Sequence, residues 1–292
     1  MIRQNEPLSR HTSFKIGGPA AFWAEAEDRR DILEAVSLAD KLKKPFVVLG
    51  AGTNILARDG GFDGVVLRLG RGFNIIEVES DRALRVGAGV VTARLAAYAS
   101  ERGLSGCEFL AGLPGDFGGA IFMNAGVRDP IETGRFREIK DILLDAEVLD
   151  LKDNKVRTIS AADIDFRYRS SNLDNKIILA ARIGLAKTEK RDVVGRAALF
   201  MKKRDWLRKL GFPSAGSVFK NPDIGGGAGA LIESCGLKGE RAGGAEISRQ
   251  HANVIVNVNK AKARDVLGLI ELARRRVKEK FGVDLELELR II

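Results

Sequence analysis

The sequence predicts an α+β fold in more than one domain, and three observations carry that reading. Apolar positions recur at helical spacing over residues 29–42 and 262–280, whereas "LELELRI" (285–291) alternates strictly, as a half-buried strand does. "AEVLDL" and "KVRTIS" form a hairpin-like pair that turns at Asp153-Asn154. The chain has 292 residues, 45% of them hydrophobic, which is enough for two or three cores.

Taken in order, Asp28 is placed to cap a helix over 29–42, with Ile32, Leu33, Val36, Ala39 and Leu42 on its apolar face. "PFVVLG" (45–50) is a short strand running into "GAGTN" (50–54). Strand-like runs follow at 65–69, 75–79 and 84–90, then a helix over 92–102 stopped by Gly103. Beyond a glycine-rich stretch and the hairpin, "IILAARIGL" (177–185) is another strand. The texture changes near residue 187, where a long charged helix (189–208) leads to "GFPSAGSVFKNP" (211–222). A short helix over 228–235 closed by Gly236, a strand at 253–258, the 262–280 helix and the closing strand complete the chain. No internal repeat or low-complexity tract is present.

Composition excludes several functions. No run of 18 apolar residues exists, so no membrane span is expected. "MIRQNEPLSRHTSFKIGG" has no apolar signal core and reads as mature protein. Cys107 and Cys235 lack metal-ligand spacing and suggest a reducing cytoplasm; with only His11 and His251 besides, no metal site is expected. The net charge of +9 suits either nucleic acid or polyanionic small molecules. The densest basic runs, "MKKRDWLRK" (201–209) and "ARRRVKEK" (273–280), carry interspersed apolar positions and read as solvated helix faces. No zinc-finger or RNA-recognition aromatic signature accompanies them.

The stretch "GLPGDFGGAIFMNAG" (112–126) mixes glycines with bulky apolar residues, unlike a polar linker. Buried glycines imply that something lies directly against the main chain. A phosphate-binding loop of the Walker type needs a Gly-Lys-Ser/Thr ending, which is absent. "GAGTNI" departs from the dinucleotide fingerprint at Ile55, and "GAGVVT" (87–92) departs from it at Thr92. Two loops, 50–54 and 112–119, still expose consecutive N–H groups able to hold an anion such as a pyrophosphate, with Asn54 and Asn124 as added amide donors. Tight turns with no ligand are the alternative.

Seven blocks now come together in order: "HTSFKIGGPA" (11–20), "VVLGAGTNILARDGGFDGVVL" (47–67), "AGLPGDFGGAIFMNAG" (111–126), "YRSS" (168–171), "PSAGSVFKNP" (213–222), "AGALIESCGLKG" (228–239) and "HANVIVN" (251–257). In them the chain resembles the UDP-N-acetylenolpyruvoylglucosamine reductase family, flavoenzymes that complete UDP-N-acetylmuramic acid for bacterial peptidoglycan. The resemblance implies a two-subdomain FAD-binding module of the vanillyl-alcohol-oxidase type (1–65 and 66–186). An α+β substrate domain follows (187–292), its last strand returning towards the flavin. It implies noncovalent FAD held by Gly50, Ala51, Gly52, Thr53, Asn54 and Ile55 together with Pro114, Gly115, Gly118, Gly119, Asn124, Ala125 and Gly126. NADPH is the implied hydride donor and the UDP-sugar enolpyruvate the substrate, with a monomer and no nucleic-acid or membrane partner expected.

By the same resemblance Ser217 donates a proton to C2 of the enolpyruvyl group, Arg169 pairs with the substrate carboxylate, and Glu288 supports the proton delivery. Tyr168, Asn221, Gln250 and Arg290 are implied substrate contacts. The sequence departs from the family at Asp116, where a small hydroxyl residue is usual, at "RKLGF" (208–212), and at "VRDPIETGRF" (127–136). With only Tyr98 and Tyr168, and neither between Ser217 and Glu288, it fits the shorter form of the family that lacks a tyrosine-bearing insertion. The rival readings are a flavin oxidase of the same superfamily and a basic nucleic-acid-binding protein.

Overall fold

The computed structural model describes residues 2–223 and 226–292, with the side chain of Arg208 outside that description. Contacts divide the chain into two compact units. The first comprises Ala24–Gly50 and Leu67–Asp205; the second comprises Ile2–Trp23, Ala51–Val66 and Trp206–Ile292. Two of the cuts fall within strands, Pro19–Ala26 and Phe62–Leu69.

In the first unit, helix α1 spans Arg29–Leu42, as its periodicity predicts. Asp28 accepts hydrogen bonds from the N–H groups of Arg30 and Asp31, and Asp31 reaches back to complete a capping box. An antiparallel sheet follows the order Lys155–Ser160, Leu143–Asp150, Lys176–Gly184, Ala83–Gly87 and Ile76–Ser80. The predicted hairpin is present, and Asn154 takes the left-handed conformation at its turn (φ 59°). Helix α2 (Thr92–Glu101) ends where Gly103 adopts φ 65°. Leu84, Val86, Leu95, Phe109, Phe117 and Phe200 belong to one buried core.

The glycine-rich stretch differs from the loop expected: Phe117–Phe122 forms a short helix, α3. The burial of Phe117 and Ile121, one helical turn apart, overrides the low helix propensity of Gly118 and Gly119. The long charged helix also breaks at Arg204, into α4 (Lys190–Lys203) and α5 (Asp205–Arg208).

In the second unit, an antiparallel sheet of order Ser214–Ser217, Val254–Asn257, Ala245–Ile247 and Arg241–Ala242 shares a core with α6 (Ala228–Ser234) and α7 (Ala263–Phe281). The apolar stripe of α7, including Val266, Ile270 and Val277, is buried there. The closing segment is less regular than its alternation implies. Strand pairing is confined to Arg290–Ile291, which runs parallel to Ile55–Leu56, and to a bridge between Phe219 and Leu287. Leu285 and Leu289 are nonetheless buried, so the alternation encodes which side chains go inside and not how the backbone pairs. The strands Ile2–Pro7 and Pro19–Ala26 had no clear periodic signal. No helix among the described residues is long and apolar enough to cross a membrane, and no cluster of His, Cys, Asp or Glu among them is placed to hold a metal.

Candidate active site

The second unit brings the 51–55 loop, Ser217 and Glu288 into one hydrogen-bonded framework. The Asn54 amide donates to the Glu288 carbonyl (2.9 Å), while the Arg290 N–H donates to the Asn54 carbonyl (3.0 Å). Glu288 and Leu289 both donate their N–H groups to the carbonyl of Val218, the residue after Ser217 (2.9 and 3.2 Å). Ser217 itself is half-buried at the end of its strand, next to Gly216 at φ 73°, and its hydroxyl has no hydrogen-bond partner among the described residues. Thus loop, serine and glutamate are neighbours through backbone bonds spanning more than 200 positions of sequence.

Within that loop Gly52 is required by packing: at φ 64°, an added Cβ would lie 2.3 Å from the His11 carbonyl oxygen. On the closing segment, Glu286 is paired with Lys220 (2.5 Å), whereas Glu288 is half-buried and Arg290 exposed. Two expected substrate contacts already have structural partners. Asn221 accepts from the Ala228 N–H at the start of α6 (3.1 Å), and Gln250 donates to the Lys209 carbonyl. The unusual 208–212 segment contributes Leu210 to a small cluster with Val254 and Val256.

The first unit holds the other half of the predicted residues. Gly115–Gly118 lies along 88–92: Thr92 donates its N–H to Gly115 (3.0 Å), Phe117 donates to Val90 and Gly118 to Ala88 (2.8 Å each). The buried Thr92 hydroxyl sits against the carbonyls of Leu113 and Gly115, turning both inward. Sequence reasoning passed over this threonine, noting it only as a failed fingerprint position. A Cβ added at Gly118 would press on that of Ala88 (2.8 Å), whereas one at Gly119 would meet nothing within 4 Å. Gly119 is therefore where the main chain stands uncovered, as a closely approaching cofactor needs. Asp116 is the exception in this cradle, since a Cβ at Gly50 would lie 3.2 Å from its carboxylate.

Asn124 is fully buried at φ 41°; its side chain donates to the Arg167 carbonyl (3.2 Å) and accepts from the Lys140 N–H (3.1 Å). Its amide therefore fastens the 167–170 turn, and what Asn124–Gly126 can offer a cofactor is chiefly main chain. Arg167 and Ser170 close that turn by mutual backbone bonds, leaving Arg169 left-handed at φ 58°. The Arg169 guanidinium donates to the Gly126 carbonyl (2.8 Å) and lies 4.9 Å from the Tyr168 ring. A non-glycine residue in this region carries strain that the surrounding bonds must sustain, a common mark of functional turns. The departing 127–136 segment is braced by the Asp129–Arg137 pair (2.8 Å). A cavity of about 660 Å³ beside Lys140 and Phe166 contains none of the predicted site residues.

Comparison with known proteins finds two family matches on the chain. Residues 20–160 match the family described as FAD binding domain, and residues 208–292 match UDP-N-acetylenolpyruvoylglucosamine reductase, C-terminal domain. The chain is 40% identical over its full length to the UDP-N-acetylenolpyruvoylglucosamine reductase of Desulforamulus reducens, covering 93% of that protein. The chain belongs to the UDP-N-acetylenolpyruvoylglucosamine reductase family. A second reductase of that name, from Symbiobacterium thermophilum, is 39% identical and is matched over 99% of this chain and 92% of its own. The crystal structure of the reductase from Thermus caldophilus superposes with a TM-score of 0.82 at 35% identity, over 100% of this chain and 99% of that one. The α+β reading, an FAD-binding module with the reductase family's C-terminal domain, is therefore the fold, and both glycine loops fall inside the FAD-binding match.

Proposed function

We infer that the chain catalyses the reaction for which its family is named. That reaction is the NADPH-dependent reduction of the enolpyruvyl group of UDP-N-acetyl-3-O-(1-carboxyvinyl)glucosamine to UDP-N-acetylmuramate, a peptidoglycan precursor. The observation that carries this is the presence in one chain of an FAD-binding domain and the reductase family's own C-terminal domain, with full-length relatives of that name. An oxidase of the wider superfamily would lack that C-terminal domain.

FAD, when bound, supplies the relay of a hydride from NADPH to the enolpyruvyl carbon C3. The chain's part is to hold and polarise. Main-chain groups of Gly50–Ile55, of Pro114, Gly115, Gly118 and Gly119, and of Asn124–Gly126 cradle the noncovalent cofactor. Arg169, in its braced turn, pairs with the substrate carboxylate and offsets the negative charge that develops on it. Ser217 gives its hydroxyl proton to C2, a role supported by its having no competing partner among the described residues. Glu288 assists that delivery; its backbone is held by Asn54 and Val218. Tyr168, Asn221, Gln250 and Arg290 contact the UDP-sugar. Residues 1–65 and 66–186 serve the cofactor, 187–292 the substrate, in a cytoplasmic monomer of the family's shorter form with no nucleic-acid or membrane partner.

The test is optical. Purified protein should be yellow, lose that colour on anaerobic NADPH addition, and regain it when the enolpyruvyl sugar is added. Acid precipitation should leave the flavin in the supernatant. A colourless protein, or one reoxidised by oxygen and not by the sugar, contradicts the reading.

A further inference from the structure

We propose that Ser13 is a positioning residue for proton transfer, coupling the cofactor loop to the strand that aims Ser217. The inference rests on the reading of residues 51–55 as a cofactor loop and of Ser217 as the proton donor. Ser13 lies in "HTSFKIGG", a motif to which the reaction itself assigns no residue. Its N–H donates to the Gly52 carbonyl (3.1 Å), and its hydroxyl lies 2.7 Å from the Ser214 carbonyl and 3.3 Å from that of Gly52. A hydroxyl has one proton to give. The shorter contact, to a carbonyl that the Ser13 N–H does not already serve, takes it. Ser13 thus grips the loop with its backbone and the start of the Ser214–Ser217 strand with its side chain.

That strand needs gripping. Ser214 pairs with Val256 but Ser217 with Val254, so three steps on one strand face two on the other. Such a bulge re-aims the side chains within it and leaves part of the ladder unmade. Gly216, at φ 73°, lies inside the bulge, and a Cβ there would be 4.0 Å from the Thr53 carbonyl oxygen. The far end is fixed where Val218 donates to Asn253 (2.9 Å) and accepts from Glu288. The near end has the Ser13 hydroxyl. Ser13 can act as a strut because its neighbours are immobilised. Phe14 is buried in the core and its carbonyl accepts from Asn257 (3.1 Å), while the Thr12 hydroxyl donates to Ile16 (3.1 Å). Gly52 is pressed against the His11 carbonyl from the other side.

The experiment compares Ser13→Ala, Ser13→Thr and Ser13→Cys with Ser217→Ala in the FAD-loaded full chain, following flavin bleaching by NADPH and reoxidation by the enolpyruvyl sugar. FAD affinity of the apoprotein is measured by fluorescence titration alongside. Loss of one hydrogen bond that sets geometry should slow reoxidation by Ser13→Ala about tenfold, with bleaching changed by less than about threefold. Ser13→Thr, which keeps the hydroxyl, should return reoxidation to within about threefold of wild type. The FAD dissociation constant of Ser13→Ala should stay within about threefold of wild type, because the N–H of residue 13 still holds the Gly52 carbonyl and only the grip on Ser214 is lost. If Ser13→Ala does not fold, Ser13→Cys, similar in size but a weak donor, should show the same selective slowing against Ser13→Thr. Reoxidation of Ser13→Ala or Ser13→Cys at the wild-type rate overturns the proposal, as does an equal loss of both half-reactions in all three variants. If Ser217→Ala slows and Ser13→Ala does not, the Ser13 inference alone fails. If Ser217→Ala reoxidises normally, the proton-donor reading fails and takes this one with it.

Discussion

Gly118 and Gly119 are adjacent, yet they lack side chains for opposite reasons. A methyl group at 118 meets Ala88 at 2.8 Å, so Gly118→Ala must shift the packing and should lose about 1–3 kcal/mol, seen as a lower melting temperature of the apoprotein. Gly119 faces open space on a helix, where alanine is tolerated or gains up to about 1 kcal/mol. Gly119→Ala should therefore melt normally while its FAD dissociation constant rises at least about tenfold, since one methyl intruding on a tightly fitted ligand is costly. Wild-type FAD binding by Gly119→Ala would mean that the cofactor does not closely approach the main chain at Gly119. The proton donor makes a second residue-scale prediction. Ser217→Ala should bleach with NADPH at nearly the wild-type rate and reoxidise about 10²–10⁴-fold more slowly; Ser217→Cys, which retains a proton, should recover part of that loss. Stopped-flow absorbance resolves the two phases, and normal reoxidation of Ser217→Ala would reject the role.

Among the elements, α1 and α7 were both legible, but their caps were not equally so. Asp28 precedes α1 directly, and its bonds to Arg30 and Asp31 follow from a familiar local pattern. The first turn of α7 is instead capped from far away: Asp59 accepts the N–H groups of Ala263 and Arg264 at 2.7 and 3.0 Å. No local rule finds a partner 204 positions distant. Asp59→Ala should cost about 1–2 kcal/mol, as much as Asp28→Ala, in urea unfolding midpoints. A negligible cost would mean that water replaces the cap. The same limit explains α3 and the closing segment. Helix periodicity and strand alternation report which side chains are buried, whereas glycine content argued for a loop at 117–122 and alternation for a regular strand at 285–291. Burial of Phe117 and Ile121 decided the first, and the bonds of 286–289 to Val218 and Lys220 decided the second.

For the stability of the whole molecule, Glu6 supplies a pH dependence. A hydrogen bond from the His11 ring (2.8 Å) holds its carboxyl below the ordinary value of 4.5, against the opposing effect of burial and with help from Arg3. A carboxyl lowered in the folded state stabilises it fully above the unfolded value, and that contribution disappears as pH falls through the folded value. Unfolding midpoints should therefore hold steady through pH 6 and 5 and decline below about 4.5, more steeply than in Glu6→Gln. Parallel declines in the two proteins would assign acid sensitivity to other carboxylates. The His11 ring also stacks on Trp23 at 3.8 Å, so this pair ties the N-terminal strand to a fully buried aromatic residue.

By itself the sequence determined the elements with strong periods, the hairpin turn at Asn154, the glycine loop at 50–54 and the family to which the chain belongs. Each of these is written in neighbouring residues or in an ordered set of short motifs. The tertiary structure alone decided what each polar group does. Asn54 and Asn124 read alike as amide donors in glycine-rich loops, yet one grips the backbone of Glu288 and the other is buried beneath the turn that carries Arg169. Ser13, Thr92 and Asp59 carried no local signal of importance, and each holds a carbonyl or an N–H of a distant segment. Side-chain chemistry and local spacing limit what a residue can bond to, but the partner is set by which segments the cores bring together, and that follows from burial across the entire chain.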